Sequence, residues 1–137
     1  MSDVLPPDEP DDDWTRTTSP DGEYVWIVDA WEARASQWVL SGALWRKDPP
    51  ARLFAPPTDW SFETRIWTSP RTLSLEGRRF PGAMPGITLA LDVGLDTGTI
   101  ALDAGDPRRK RRRVPAAPEG ARPLAELLSW LDAYPGE

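Results

Sequence analysis

Alternating hydrophobic and polar positions run through much of the chain and predict β-strands. The clearest example is GITLALDVGLDTGTIALDAG, residues 86–105, where apolar side chains recur at every second position on both sides of a short turn. The segment RASQWVLSGALWRKDPP, residues 34–50, alternates too, with Trp38, Leu40 and Leu44 on one face and Val39 and Trp45 on the other. Successive side chains of a strand point to opposite faces, so both segments predict strands.

Short turn sequences separate the predicted strands. SPDG, residues 19–22, and SPR, residues 69–71, predict hairpin turns, and DPP, residues 48–50, ends a strand. The segments around the two hairpin turns, TRTTSPDGEYVW and TRIWTSPRTLSL, resemble each other and look like pieces of a β-propeller blade. A closed propeller needs at least about four blades, and this chain has room for two at most, so we expect one curved sheet or a small sandwich.

The C-terminus changes to a helical period. Leucines at positions 124, 127, 128 and 131 fall on one helix face, and Pro123 suits the first helical turn, which predicts a helix over residues 123–134. The fold class is therefore mainly β: an antiparallel meander of about six to eight strands with one amphipathic C-terminal helix packed on it. Residues 14–137 form the single domain, residues 104–122 its basic, proline-rich loop, and residues 1–13 a disordered acidic tail.

Composition excludes several kinds of site. The chain has no cysteine and no histidine, which removes disulfides, thiolate nucleophiles and the commonest metal ligand. We therefore expect no cofactor, no metal site and no enzymatic activity. The first thirteen residues hold six acids and no base, and no apolar run reaches the length of a membrane span, so we expect a cytoplasmic protein with no membrane attachment.

A basic run interrupts this acidic chain, whose formal net charge is -6. Its six members are consecutive: Arg108, Arg109, Lys110, Arg111, Arg112 and Arg113. The acidic tail carries the opposite charge, and the rest of the chain has sixteen acids against ten bases. We expect an electrostatic loop that pairs with the tail within one chain or between subunits. Nucleic-acid binding by this loop is the alternative, less favoured because the acidic body repels phosphate.

The segment LDTGT, residues 95–99, resembles the Asp-Thr-Gly motif of aspartic proteases. The resemblance implies a homodimeric hydrolase in which Asp96 shares a proton with its partner and activates water. That family places its motif near the start of the domain, with a flap hairpin and a second hydrophobic loop downstream. Here only one strand, a charged loop and a helix follow, so we favour a hairpin turn at Asp96.

Aromatic and charged residues mark a candidate partner-binding region. In VDAWEARASQW, residues 28–38, Trp31, Glu32 and Arg34 combine residue types that are enriched in binding hot spots, and Trp60 is a further aromatic expected at the surface. The alternative is a structural corner in which Trp31 covers the core and Glu32 pairs with Arg34 or Arg65.

Residues 19–38 also resemble uncharacterised small bacterial proteins that share Ser-Pro-Asp-Gly and Asp-Ala-Trp-Glu patterns, a resemblance that implies no function. From composition we expect a non-enzymatic protein whose acidic surface binds a basic protein partner, such as an immunity protein or antitoxin that covers a toxin. The sequence leaves the oligomeric state open.

Overall fold

Two antiparallel sheets and one C-terminal helix make up the described part of the chain, which in this computed structural model comprises residues 15–34, 37–80, 86–102 and 116–134. The first sheet has the order β1-β2-β3-β4 and the second the order β5-β6-β7-β8-β9. The strands are β1 (Arg16–Thr18), β2 (Tyr24–Arg34), β3 (Gln37–Arg46), β4 (Ala51–Phe54), β5 (Trp60–Ser69), β6 (Thr72–Arg79), β7 (Ile87–Asp92), β8 (Thr97–Leu102) and β9 (Arg122–Pro123).

The mainly β, meandering fold with one packed helix is confirmed. Every strand pairs with the next along the chain within its own sheet, as expected for strands joined by short turns. The described residues contain nine strands, against the six to eight expected. Two residues just before the helix form the additional strand β9, which pairs with the edge of β8. No helix among the described residues is long and apolar enough to cross a membrane.

The core lies between the inner faces of the two sheets. Alternate positions of each strand supply it, as the sequence pattern predicts; its largest fully buried side chains are Trp26, Leu44, Phe54, Trp60, Phe62, Leu73, Leu75, Ile87, Leu89, Leu91, Leu127 and Tyr134. The rings meet at angles that favour aromatic contacts: Phe62 lies edge-on to Trp26 and stacks on Trp60. Aromatic burial therefore holds the two sheets together.

Helix α1 (Leu124–Ala133) packs its leucine face on this core. Its first residue, Leu124, donates its backbone N–H to the carbonyl oxygen of Asp96 at 3.2 Å. One turn later, Leu127 lies so close to β8 that a methyl group added to Gly98 would be 2.8 Å from its Cδ1 atom. The missing side chain at Gly98 lets the helix approach the sheet.

The two hairpin turns that resemble each other in sequence contact each other in space. Arg71, in the β5–β6 turn, pairs with the carboxylates of Asp21 and Glu23 in the β1–β2 turn and lies over the ring of Tyr24. Nearby, the indole N–H of Trp67 donates to the carbonyl oxygen of Thr17 at 2.9 Å. The repeated segments thus belong to different sheets and join them, an arrangement that does not correspond to blades of a propeller.

Two predictions lie outside the described residues. The acidic tail, residues 1–13, and the basic run, residues 108–113, are not described. Their proposed pairing therefore stays a prediction. Of the predicted loop over residues 104–122, the described part is 116–122, which ends in strand β9.

Candidate functional site

The exposed charge of the described residues is strongly acidic. Among the described residues only three basic side chains are exposed, Arg71, Arg78 and Arg122, and each of them pairs with a carboxylate. The exposed acids of the same residues number eleven: Asp21, Glu23, Asp29, Glu32, Asp48, Glu63, Glu76, Asp96, Glu119, Glu126 and Asp132. Seven of these have no ion pair with any described residue, namely Asp29, Glu32, Asp48, Glu76, Asp96, Glu119 and Asp132. The described surface therefore attracts cations.

Trp38 is the most exposed indole of the described residues, with 57% of its surface accessible. It is the first residue of β3 whose side chain is described. Its register partner across the β2–β3 hairpin is the exposed Glu32. The next positions on the same face, Leu40 and Leu44, reach the core. Trp38 lies beyond the end of that core, which leaves a large apolar ring beside a free carboxylate.

Trp31 combines the two alternatives that the sequence left open. It is half-buried, its indole N–H donates to the carbonyl oxygen of Thr58 at 3.0 Å, and its ring meets that of Phe80 edge-on at 6.0 Å. The hydrogen bond from Trp31 to Thr58 therefore links the segment between β4 and β5 to strand β2 of the first sheet. The register partner of Trp31 is Val39, so Trp31 lies on the face of the β2–β3 hairpin opposite to Glu32 and Trp38.

The expected ion pairs of Glu32 can be checked only in part. Arg65 donates instead to the carbonyl oxygen of Phe62 at 2.7 Å, and burial lowers the pKa of its guanidinium. The side chain of Arg34 is outside the described residues. Within those residues, Glu32 has no ion pair and points to solvent.

Trp60 is a correction to the predicted site. It is fully buried at the start of β5, stacks on Phe62 and donates its indole N–H to the carbonyl oxygen of Leu131 in the helix. Its placement at the surface was therefore wrong. A proline-rich stretch precedes Trp60 in the chain and therefore predicted a loop at this position. The residue that accepts its hydrogen bond, Leu131, is 71 positions away in the sequence, so no local pattern could predict the contact.

A groove of about 600 Å³, here called the outer groove, lies on the face of the first sheet that points away from the core. Its floor comes from β2 and β3, and one wall comes from residues 55–58, which leave the sheet after β4. Asp29, Trp45 and Arg52 bring polar and aromatic groups to it, while Ile27 and Ala43 make its floor apolar. Sequence reasoning missed this groove, because no local pattern shows that β4 separates from β3 at this point.

The carboxylates of Asp29 and Glu32 lie on opposite faces of β2. Positions three apart in a strand face opposite ways, so Asp29 lines the outer groove while Glu32 lies on the same face as Trp38. Asp92 accepts backbone hydrogen bonds from Gly94 and Leu95 at 2.9 and 3.0 Å and thereby shapes the β7–β8 turn. These carboxylates have separate surroundings, and no group of three potential metal-binding acids occurs among the described residues.

Asp96 lies in the β7–β8 turn, with a positive φ of 58° and an exposed side chain. Aspartate tolerates this left-handed conformation better than most residues do. Its backbone carbonyl receives the first N–H of the helix. The predicted hairpin turn is present at Asp96, and Thr97 begins strand β8.

The acidic surface, the exposed Trp38 and the outer groove are the features of the described chain from which a function can be argued. In comparisons with known proteins, no family model, no curated protein and no solved structure matches this chain.

Proposed function

We propose that this chain is a protein-binding protein that engages a basic protein partner through its acidic surface, with Trp38 in the contact. The observation that carries the proposal is the exposure of Trp38 directly opposite Glu32 on the β2–β3 hairpin. A large ring in solvent contributes little to folding, whereas tryptophan is among the residues most enriched in binding hot spots. Glu32 supplies a charge that a basic partner can pair with.

The wider surface supports the same partner chemistry. Unpaired carboxylates greatly outnumber exposed cations on the described residues, and the cations present are already paired. Such a surface accelerates association with a positively charged protein and makes the association sensitive to salt. It repels the phosphates of nucleic acid, so the alternative through residues 108–113 has no support from the described residues.

In its most concrete form, the proposal is that of a cytoplasmic immunity protein or antitoxin that covers a basic toxin. Occlusion needs a firm scaffold with a complementary surface and no chemistry of its own. The chain has an aromatic core, an acidic exterior and neither cysteine nor histidine, which suits that role.

Affinity capture from the native host tests the proposal. The immobilised full chain and its Trp38→Ser and Glu32→Lys variants are incubated with host extract at low and high salt, and bound proteins are identified by mass spectrometry. We expect one basic protein to bind the unmodified chain, to bind less at high salt, and to be lost from both variants. Reconstitution of the pair from purified components then gives the dissociation constants.

Ile66→Ser is the matched control for Trp38. Ile66 is exposed to nearly the same degree, 56%, but lies on β5 in the second sheet. Its replacement should leave binding unchanged. Capture of no basic protein at low salt contradicts the proposal, as does a partner that binds the Trp38 and Glu32 variants as well as the unmodified chain. Capture of nucleic acid instead, lost when residues 108–113 are replaced by serine, would favour the alternative.

A further inference from the structure

The outer groove has the dimensions of a binding site. Its volume of about 600 Å³ lies within the range of cavities that bind small ligands or side chains. The floor is formed by the outer face of the β2–β3 hairpin, and the wall by residues 55–58, which include Pro56 and Pro57. Proline has no backbone N–H and a fixed φ, so this wall presents a stiff, largely apolar surface.

Hydrogen bonds hold the wall and the floor in place. The indole N–H of Trp31 donates to the carbonyl oxygen of Thr58 at 3.0 Å, which fixes the far end of the wall. On the floor, the hydroxyl of the buried Ser41 donates to the backbone oxygen of Asp29 at 2.7 Å. A groove that is already ordered loses little entropy when it binds a ligand.

At the Asp29 end of the groove the charge is negative. Asp29 has an exposed side chain with no hydrogen bond or ion pair to any described residue. Arg52 lines the other end, where its register partner is Trp45, four positions along β3 from the register partner of Asp29, and it makes an interaction of its own. The apolar groups of Ile27 and Ala43 flank the free carboxylate along the floor. A neutral apolar ligand would leave that carboxylate desolvated and unpaired, at a cost in binding free energy.

The geometry points to an arginine or lysine side chain of a basic protein partner as the occupant of the outer groove. Such a side chain has an apolar stem, which matches the floor, and a cationic head, which matches Asp29. This inference rests on the proposed function, because the basic partner supplies the side chain. It adds a second contact on the opposite face of the hairpin that carries Trp38.

The β2–β3 register also predicts which type of residue the partner has four positions from its basic residue. Asp29 is opposite Ser41, and Trp45 follows four residues later on β3, about 13 Å away at the rise of an extended strand. An extended segment that places its basic residue at Asp29 therefore brings its fourth following or preceding residue to Trp45. Only 7% of the Trp45 surface is exposed, so an apolar side chain at that position would contact the edge of the indole that borders the groove.

A synthetic peptide tests the groove independently of the natural partner. The probe is a blocked pentapeptide with arginine first, three alanines, and leucine last, titrated at low salt into the ¹⁵N-labelled full chain. We expect shifts of the amide signals around Asp29, Ser41 and Ala43. The dissociation constant should rise about tenfold when citrulline, the neutral isostere, replaces arginine, and by a similar factor in Asp29→Asn.

A control variant separates the possible outcomes. Glu76→Gln removes another exposed carboxylate that has no ion pair with any described residue, from the second sheet, and should leave peptide binding unchanged. No saturable binding, binding indifferent to citrulline or Asp29→Asn, or amide shifts confined to other faces would overturn the inference, whatever the partner capture shows. Peptide binding in the groove without capture of any basic protein would count against the proposed function alone.

Discussion

Trp60 donates its indole N–H to the carbonyl oxygen of Leu131, 3.0 Å away, and so joins the first residue of β5 to the last turn of the helix. The ring also lies against Phe62 and Tyr134, at centroid distances of 6.0 and 5.1 Å. One side chain thus connects the second sheet, the helix and the aromatic core. This position identifies Trp60 as a structural residue.

Trp60→Ala should lower the free energy of unfolding by about 3–5 kcal/mol, since it removes a fully buried indole from a packed core. Trp60→Phe should cost about 1–3 kcal/mol, because a ring remains but the donor to Leu131 is lost. Urea unfolding monitored by circular dichroism measures both. Trp38→Ala, which removes an exposed ring, should change stability by less than about 0.5 kcal/mol. Similar effects at positions 60 and 38 would contradict the assignment of Trp60 to the core.

Gly77→Ala should be strongly destabilising because the neighbouring strand β5 comes unusually close to this position, next to a register shift between Phe62 and Thr64. A methyl group there would lie 2.2 Å from the carbonyl oxygen of Ser61 and 2.6 Å from Cδ1 of Phe62, so the strands would have to separate. We expect a loss of about 1–3 kcal/mol in unfolding free energy, measured by thermal or urea denaturation.

Gly94→Ala is the control for Gly77→Ala. Its added methyl group would have Asp92 Oδ1 at 3.3 Å as its nearest neighbour, and no positive φ demands glycine there. An effect within about 1 kcal/mol of neutral is expected, because Asp92 Oδ1 has to move by only a few tenths of an ångström while the unfolded chain loses conformational freedom. Equal losses at both positions would show that contact with Ser61 and Phe62 is not the cause.

Local pattern was sufficient to predict the longer strands, the turns and the helix, because period-two alternation and turn residues act over a few positions. It did not predict β9, whose two residues pair with the edge of β8. It placed Leu40 and Leu44 on one face of β3, and that face meets the core. It could not place Trp38, which obeys the same alternation but lies past the end of the core. Whether an alternating residue is covered depends on the length of the opposing elements.

The candidate site was harder to predict because it depends on contacts between distant segments. Trp31, Glu32 and Trp38 occur close together in the sequence, and their region does lie at the surface in part. The outer groove needs residues 55–58 to pass beside Asp29, a relationship fixed by the hydrogen bond from Trp31 to Thr58. Contacts of this separation leave no periodic signal in a single sequence.

Because of Asp21, the free energy of unfolding should depend on pH between about pH 4 and pH 2. The Asp21 carboxylate accepts the backbone N–H of Glu23 and the hydroxyl of Ser19 and pairs with Arg71, and together these lower its pKa from 3.8 to about 2. A carboxyl with a depressed pKa stabilises the fold above its unfolded-state pKa, near pH 4, and that stabilisation is lost as the pH falls through about 2.

Asp21→Asn should therefore flatten the stability profile between about pH 4 and pH 2, because the group that takes up the proton on unfolding is gone. Urea unfolding at a series of pH values measures the slope. Glu76→Gln, which removes an exposed carboxylate without an ion pair to any described residue, should keep the slope of the unmodified chain. An Asp21→Asn profile as steep as that of the unmodified chain would show that other groups cause the acid dependence.

Arg79 closes the C-terminal end of the helix. Its guanidinium donates to the carbonyl oxygens of Leu131, Asp132 and Tyr134, while its Nε atom pairs with Asp59 at 2.8 Å. The last carbonyl groups of a helix have no hydrogen-bond partner within the helix. A cation at this end also interacts favourably with the partial negative charge of the helix dipole. Arg79→Ala should lower the unfolding free energy by about 2–3 kcal/mol, since several charge-assisted hydrogen bonds are lost at once.

Arg78→Ala provides the comparison for this last prediction, because Arg78 is the adjacent residue of β6 but points to solvent. Its only ion pair among the described residues, with Glu63, spans 3.9 Å between exposed side chains, so its loss should cost less than about 1 kcal/mol. Amide hydrogen exchange gives a second measure: Arg79→Ala should speed exchange in residues 131–134, and Arg78→Ala should not. Equal protection of those amides in the two variants would contradict a capping role for Arg79, whatever the change in global stability.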